Sequence, residues 1–167
     1  MANTILTPLS DEELTKLGNL AIEAKAKAYC PYSNFRVGAS VLLSDGTYHT
    51  GANVEVASTP VGICAERCAI APIVASMPRP KMPVIRAIGV ATDIFPPASP
   101  CGMCRQFINE FATSRDLPIY MYGKNGLKGE VVRMTIGELL PMSFGPNDIE
   151  RNPRKEERVD LEKILEE

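Results

Sequence analysis

Two short stretches of the chain, Cys64-Ala65-Glu66-Arg67 and Pro100-Cys101-Gly102-Met103-Cys104, combine thiols with a carboxylate. Cys101 and Cys104 have the C-x-x-C spacing that lets two thiolates reach one metal ion from a single helical turn. Cys64 can supply a third thiolate if the fold brings the two stretches face to face. Glu66 is then free to move protons as a general acid and base. The sequence therefore predicts one Zn²⁺ per chain, with three protein ligands and an open fourth position.

The spacing of the cysteines leaves other interpretations open. Cys68 lies four residues after Cys64, on the same face of a helix, so four thiolates could form a closed structural zinc site without chemistry. A redox pair is a further alternative for the C-x-x-C spacing. A carboxylate at a helix start beside a metal is costly unless it has a task, which makes Glu66 the residue that favours a catalytic site.

The composition is that of an ordinary globular protein. Hydrophobic residues make up 45% and charged residues 23% of 167 residues, so we expect one domain over 1–150, followed by a charge-dense tail over 151–167. The net charge of -2 without a basic stripe argues against nucleic acid as a partner. Neither a signal peptide nor an apolar run of membrane-spanning length is visible, so a cytoplasmic location and no membrane partner are expected.

Helix signals flank both cysteine stretches. A capping box, Ser10-Asp11-Glu12-Glu13, predicts a helix over about 10–29. A second helix should start near Cys64, where Pro72 predicts either a kink or a short helix. A third helix should run to about residue 113, with Ser99 as its N-cap and Pro100 at its first position.

Strand signals alternate with these helices and predict an α/β layer structure with a sheet between helices. The dipeptide Asp45-Gly46 is a hairpin turn signal between the first two predicted strands. A second capping box, Thr135 to Glu138, predicts a short helix. In the tail, Leu161, Ile164 and Leu165 suit a short amphipathic helix. The predicted strands lie at about 37–43, 47–53, 85–92, 118–122 and 130–133.

The motifs strongly resemble those of the zinc-dependent nucleoside and nucleotide deaminases, and their all-cysteine form resembles the small cytidine deaminases. The similarity extends beyond the two opening stretches to residues 30–39, 51–55 and 138–146, in order and with natural spacing. This resemblance implies a three-layer α/β/α fold around a central mixed sheet of about five strands, a homotetramer, and a role in pyrimidine salvage.

The resemblance also implies a role for each site residue. Cys64, Cys101 and Cys104 are the zinc ligands, Glu66 is the proton shuttle, Arg67 donates to the thiolates, and Cys68 is at a non-ligand position. The implied substrate-binding residues are Phe35 on the pyrimidine ring, Asn53 and Glu55 on the ribose, the backbone amide of Ala65 and carbonyl of Ser99 on the base, and Phe144, which closes a pocket, often that of a neighbouring subunit.

The activity implied in this way is hydrolytic deamination of cytidine and 2'-deoxycytidine. An amide and a carboxylate suit a sugar hydroxyl, whereas Glu55 would repel a phosphate, so a free nucleoside is favoured over a nucleotide. The alternatives are another aminopyrimidine nucleoside of the antibiotic type, single-stranded nucleic acid, and a non-catalytic zinc module. Thr59 departs from the family pattern, where several relatives have an aromatic residue.

Overall fold

A computed structural model describes residues 7–78 and 81–150, without the side chains of Asn147 and Glu150. The amphipathic helix expected in the tail lies outside these residues. The strands are β1 (Val37–Leu43), β2 (Tyr48–Ala52), β3 (Ile85–Thr92), β4 (Pro118–Tyr122) and β5 (Val131–Thr135). The helices are α1 (Asp11–Lys25), α2 (Ala65–Ser76), α3 (Gly102–Phe111), α4 (Ile136–Leu139) and α5 (Pro146–Glu150).

The five strands form one mixed sheet in the order β2-β1-β3-β4-β5. β1 is antiparallel to both β2 and β3, β3 and β4 are parallel, and β4 and β5 are antiparallel. The parallel pair requires a crossover, and α3 lies in the connection between β3 and β4. The predicted mixed sheet of about five strands is confirmed.

Helices cover both faces of this sheet. Along β1, Ala39, Val41 and Leu43 pack into the main core beneath α2 and α3, because alternate residues of a strand point to one face. Leu42 points to the opposite face and packs with Leu17 of α1. The sheet is therefore the middle of three layers, as expected for this α/β/α fold.

Two glycines let the helices approach the sheet closely. A Cβ on Gly38 would lie 2.1 Å from the carbonyl oxygen of Ala21 in α1. A Cβ on Gly51 would lie 2.4 Å from the backbone nitrogen of Ala69 in α2. Both distances are shorter than any ordinary contact, so a side chain at either position would push a helix off the sheet. Gly51 thereby fixes the depth at which α2, with Cys64 at its start, sits against β2.

The first helix is shorter than predicted. The capping box at its start is confirmed, but α1 ends at Lys25, not near residue 29. The chain then turns, and the backbone N–H of Tyr29 donates to the carbonyl oxygen of Asn53 at 2.9 Å. This pairing with a distant segment removes Tyr29 from the helix, and helical periodicity alone does not reveal it.

Two further predictions about helices need correction. Ser99 is not the N-cap of α3: Cys101 has that position, and the Ser99 hydroxyl accepts a hydrogen bond from Arg105 instead. Of the two alternatives predicted for Pro72, the short helix is wrong, because α2 continues to Ser76 with Pro72 inside it, and the kink stays a prediction. Among the described residues, no helix is long and apolar enough to cross a membrane.

Candidate active site

The site is built where two helices begin. Cys64 is the N-cap of α2 and Cys101 is the N-cap of α3, both with extended backbone, and the two helices pack against each other. Neither side chain makes a capping hydrogen bond. The first backbone N–H groups of a helix have no partner within it, and the helix dipole adds positive potential at this end. Two such ends therefore favour thiolates at Cys64 and Cys101.

Three thiols converge at this point. The Sγ atoms of Cys64, Cys101 and Cys104 all lie within 4.8 Å of one another, and those of Cys64 and Cys101 are 3.8 Å apart. A tetrahedral zinc ion with Zn–S bonds of about 2.3 Å separates its sulfur ligands by about 3.8 Å. The type and spacing of the donor atoms fit zinc. Three cysteine ligands leave the fourth coordination position for a non-protein ligand.

Cys68 stays outside this group. Its Sγ lies 4.0 Å from the carbonyl oxygen of Ile63, and burial raises the pKa of its thiol. Within the described residues, the three-ligand group of Cys64, Cys101 and Cys104 does not include it. The geometry therefore favours an open three-thiolate site over a closed four-thiolate site.

The pKa values of two of these thiols, Cys64 and Cys104, shift in opposite directions. A hydrogen bond with Cys104, aided by Arg67, lowers the pKa of Cys64 to about 5 against the opposing effect of burial. The same hydrogen bond raises the pKa of Cys104, and burial and the charge of Glu66 raise it further. A helix N-terminus and a guanidinium therefore stabilise the thiolate form of Cys64.

Glu66 lies against these thiols in the first turn of α2. It is only 3% exposed, and burial raises its pKa; its own backbone N–H opposes that shift, and the charge of Cys64 adds to it. A buried carboxyl beside negatively charged thiolates, with a raised pKa, can hold a proton at a pH where a surface carboxyl would not. This is the property that a general acid and base requires.

Arg67 follows directly and faces the first thiol. One of its terminal guanidinium nitrogens lies 3.9 Å from Cys64 Sγ and 3.4 Å from the carbonyl oxygen of Gly62. The sequence analysis assigned Arg67 to the thiolates as a group, and the structure brings it to one of them, Cys64. A guanidinium here offsets part of the negative charge that three thiolates would bring to one divalent ion.

A short backbone ladder joins the predicted substrate residues to the metal group. Val54 exchanges two backbone hydrogen bonds of 2.9 Å with Ile63, the residue before Cys64. On its other side the segment pairs with Tyr29 through Asn53 and Glu55. We call these paired segments, around Tyr29, Val54 and Ile63, the loop ladder. Through the Val54–Ile63 pair, the loop ladder places Asn53 and Glu55 beside the segment that leads into α2.

The side chains of Asn53 and Glu55 already have backbone partners. The Asn53 amide accepts from the Val37 N–H at 2.8 Å and donates to the Phe35 carbonyl at 2.9 Å. Glu55 Oε2 accepts from the N–H groups of Tyr32 and Ser33, at 3.0 and 3.1 Å. Hydrogen bonds from the Ser33 side chain and backbone lower the pKa of Glu55. Both residues therefore hold the loop that carries Phe35, a role that the sequence analysis did not assign to them.

The remaining predicted residues lie in three places. Ala65 is fully buried and is the first residue of α2, so its N–H has no acceptor within the helix. Ser99 precedes the second cysteine stretch. Phe144 lies beyond α4 with 64% of its surface exposed, and its carbonyl accepts from Gln106 and Asn109 of α3. Its ring is thus presented outward from a segment fastened to α3.

Comparisons with known proteins agree with this geometry. The family model described as the cytidine and deoxycytidylate deaminase zinc-binding region matches residues 11–121. A cytidine deaminase of Sporosarcina psychrophila is 39% identical over 127 residues, which are 76% of this chain and 88% of the relative. One from Mycobacterium tuberculosis is 33% identical over 146 residues, 87% and 100% of the two chains. The crystal structure of cytidine deaminase from Burkholderia pseudomallei superimposes with a TM-score of 0.69 at 36% identity and covers 81% of this chain and 100% of that one.

Proposed function

The chain belongs to the family of cytidine and deoxycytidylate deaminases, and we propose that it hydrolyses cytidine and 2'-deoxycytidine to uridine and 2'-deoxyuridine, with release of ammonia. The observation that carries this proposal is the convergence of three thiols within 4.8 Å at two helix starts, with the buried Glu66 beside them. A closed structural zinc site would have no use for that carboxyl group.

Cys64, Cys101 and Cys104 are the proposed ligands of one zinc ion. Zinc, when bound, polarises the attacking water and lowers its pKa toward about 7. Arg67, 3.9 Å from the Cys64 sulfur, is proposed to draw charge from the thiolates and so to preserve the acidity of the metal.

Glu66 is proposed to move the protons. Its carboxylate takes a proton from the water whose oxygen adds to C4 of the pyrimidine. It gives that proton to N3, takes the second water proton from the hydroxyl group now on C4, and passes it to the departing amine, so that one water is consumed and one ammonia leaves. Burial of Glu66 supports this role, because the raised pKa lets the carboxyl group retain a proton between the two transfers.

The substrate side is proposed on the loop ladder and its surroundings. The free N–H of Ala65 and the carbonyl of Ser99 are assigned to the base, Phe35 to one face of the ring, and Phe144 to closure of a pocket. Asn53 retains one amide hydrogen and Glu55 retains acceptor capacity for a ribose hydroxyl, beyond the loop contacts described above. The carboxylate of Glu55 disfavours a phosphate, so the proposed substrate is a nucleoside.

One purified sample tests the core of the proposal. We expect one zinc per chain by elemental analysis, and loss of the cytidine absorbance as uridine forms. Glu66→Gln should retain zinc and lower turnover at least about 100-fold, because general acid–base catalysis contributes about 10²–10⁴. Glu23→Gln, at an exposed position of α1, is the matched control and should keep full turnover.

Three results would contradict the proposed function. Near-normal turnover in Glu66→Gln would remove the carboxyl group from the chemistry. A zinc-loaded parent without cytidine turnover would indicate another aminopyrimidine substrate. Binding of a single-stranded oligonucleotide at physiological salt would instead indicate a polynucleotide substrate, for which the chain's net charge of -2 offers no support.

The proposed assembly is a homotetramer. The loop ladder exposes apolar side chains at Tyr29, Val54 and Ile63, and Val61 nearby is 61% exposed. Apolar surface next to a candidate site is typical of a contact between subunits. Light scattering on the purified protein should give a mass near four chains of 18.2 kDa; a monomer would contradict the tetramer.

Salvage of pyrimidines in the cytoplasm is the proposed setting, with residues 1–150 as one deaminase domain and 151–167 as its tail. A reducing compartment suits a site whose thiols must stay unoxidised to bind metal. Truncation after residue 150 tests the domain assignment: the shortened chain should keep its zinc and its turnover.

A further inference from the structure

Arg105, the residue after the last cysteine, makes three hydrogen bonds from one guanidinium. Its Nε donates to the Pro100 carbonyl at 2.7 Å, and one terminal nitrogen donates to Ser99 Oγ at 2.7 Å. The other terminal nitrogen donates to the Leu139 carbonyl at 2.9 Å. A planar fork of five N–H donors suits three acceptors in fixed directions, which a lysine could not match.

The three acceptors belong to two separate parts of the chain. Ser99 and Pro100 form the turn immediately before Cys101, and Leu139 is the last residue of α4. Carbonyls at a helix end have no partner within the helix, so Arg105 satisfies one that α4 leaves open. Through this side chain, the turn that delivers Cys101 is tied directly to the C-terminal part of the fold.

Cys101 is the thiol that most needs this support. Of the three candidate ligands, Cys104 is buried and Cys64 is half-buried, whereas Cys101 is exposed. Cys101 makes no capping hydrogen bond that would fix its side chain. Packing therefore holds Cys104, Arg67 faces Cys64, and the position of the Cys101 sulfur depends on the backbone of residues 99–101.

A second arginine provides an internal comparison. Arg115 donates to the carbonyls of Gly137 and Leu140, at 3.3 and 2.5 Å, in and beside the same α4 turn. It also donates to Asn109 Oδ1 at 2.8 Å and to the Ser143 hydroxyl. Its described hydrogen bonds fasten the C-terminal segment to α3 without touching residues 99–101. Both arginines bind the C-terminal segment. Of the two, only Arg105 donates described hydrogen bonds to residues 99 and 100.

The geometry points to Arg105 as a positioning residue that holds the Ser99–Cys101 turn in the place where the Cys101 thiolate meets the metal. This deepens the proposed function, since it concerns the same site. The described hydrogen bonds of the Arg105 side chain all go to the chain itself, so Arg105 acts through the backbone that carries Cys101 and the Ser99 carbonyl. Its bond to Leu139 makes α4 the anchor of that turn.

The test compares Arg105→Gln with Arg115→Gln, both in the full chain. Each protein is loaded with Co²⁺ in place of zinc for its absorption spectrum, and with Zn²⁺ for release to a chelator. We expect Arg105→Gln to shift the Co²⁺ d–d bands and to weaken metal retention about 10–100-fold, the usual range for residues that orient metal ligands. Arg115→Gln should lower the melting temperature yet leave the Co²⁺ bands and metal retention as in the parent.

Each outcome decides the inference. If both variants lower the melting temperature and neither changes the Co²⁺ spectrum or the retention, Arg105 is only a fastener and the inference is wrong. If Arg105→Gln fails to fold, Ser99→Ala is the milder variant, because it removes only one of the three acceptors. It should still speed metal release relative to the parent. An unchanged release rate would overturn the inference. Metal retention is measured without substrate, so absent cytidine turnover in the parent would contradict the proposed function and leave this result standing.

Discussion

Helices α1 and α4 begin differently from α2 and α3. Ser10 and Thr135 open α1 and α4 with complete capping boxes, in which a side chain and a backbone N–H satisfy each other in both directions. Cys64 and Cys101 open α2 and α3 without any side-chain capping bond. The first pair of helix starts is closed by the protein itself, and the second pair is left open.

The open starts are the ones that face the candidate metal and substrate. An N-cap serine accepts from the very N–H groups that an anion or a substrate would use, so a capped helix has fewer donors to offer. α2 recovers stability through packing: Gly51 admits it close to β2, and Ile70 and Ile73 are buried. Among the four helices compared, a side-chain cap is absent at the two starts that carry the proposed metal ligands Cys64 and Cys101.

The largest effect is expected from closing one open start. Cys101→Ser replaces a zinc ligand by a good N-cap residue, so zinc per chain should fall toward zero and turnover at least about 100-fold. With chelator present, the same variant should be more stable than the parent by about 0.5–1 kcal/mol, because serine caps α3. Elemental analysis, the cytidine assay and urea unfolding in chelator measure the three quantities.

The two halves of this prediction fail separately. Full zinc content in Cys101→Ser would remove Cys101 from the ligand set. Unchanged stability in chelator would mean that the start of α3 has no capping deficit, and that the absence of a cap there costs nothing. Cys64→Ser should behave in the same way at the start of α2.

The reverse change, opening a closed start, should affect stability alone. Ser10→Ala removes the side chain that accepts from the Glu13 N–H at 3.2 Å. Loss of an N-cap serine costs about 1 kcal/mol. Urea unfolding should show that loss, while turnover below the unfolding transition stays at the parent value. A drop in turnover with intact fold would mean that α1 contributes to the site, contrary to its position on the other face of the sheet.

Local sequence signals were sufficient for the closed starts and for the start of α2 near Cys64, and insufficient for the start of α3. Both capping boxes, β1 and β3 follow from residues within one turn or one strand of each other, and the structure confirms them. Ser99 was predicted to cap α3 because it precedes Pro100. The hydroxyl instead accepts a hydrogen bond from Arg105, and one of the other two acceptors of Arg105, Leu139, is 34 residues away along the chain.

The same limit applies to the substrate side. The family resemblance pointed to Asn53 and Glu55, but their hydrogen bonds to the loop at 32–37 depend on the loop ladder, which pairs three separate segments of the chain. No periodicity marks isolated bridges of this kind. The α5 helix was missed for a different reason, since five residues are too few to establish a helical pattern.

The ion pair at the closed start of α1 should be sensitive to acid. A hydrogen bond from Arg86, and then one from the Ser10 N–H, lower the pKa of Glu13. A folded-state pKa below the unfolded one gives stability that is present above about pH 4.3 and is lost as pH falls through the folded value. Glu13→Gln should therefore cost about 0.5 kcal/mol at pH 7, as partly exposed ion pairs do, and progressively less toward pH 2.

Urea unfolding at several pH values measures the difference in the free energy of unfolding between Glu13→Gln and the parent, which should shrink as pH falls. Glu12→Gln changes a neighbouring carboxyl of the same first turn, which is exposed and makes none of the described hydrogen bonds to Arg86 or Ser10. Its gap from the parent should be smaller at every pH. A Glu13 gap that stays constant down to pH 2 would show that the residue stabilises the helix without its charge.

The smallest effect is expected at Cys68, one turn into α2. A thiol at an N-cap meets free N–H groups and the positive end of the dipole, whereas one turn later the backbone N–H groups are already bonded: that of Cys68 donates to the Cys64 carbonyl at 3.0 Å. Burial accordingly raises the pKa of Cys68, in contrast to the lowered pKa of Cys64.

Cys68→Ser should leave zinc per chain unchanged and turnover within about twofold, the range of substitutions away from special features. Cys104→Ser, a change in the first turn of α3 and at a predicted ligand, should lose the metal. Loss of zinc in Cys68→Ser would restore the four-thiolate site and would mean that position along the helix, open start or interior, does not decide which thiols bind metal.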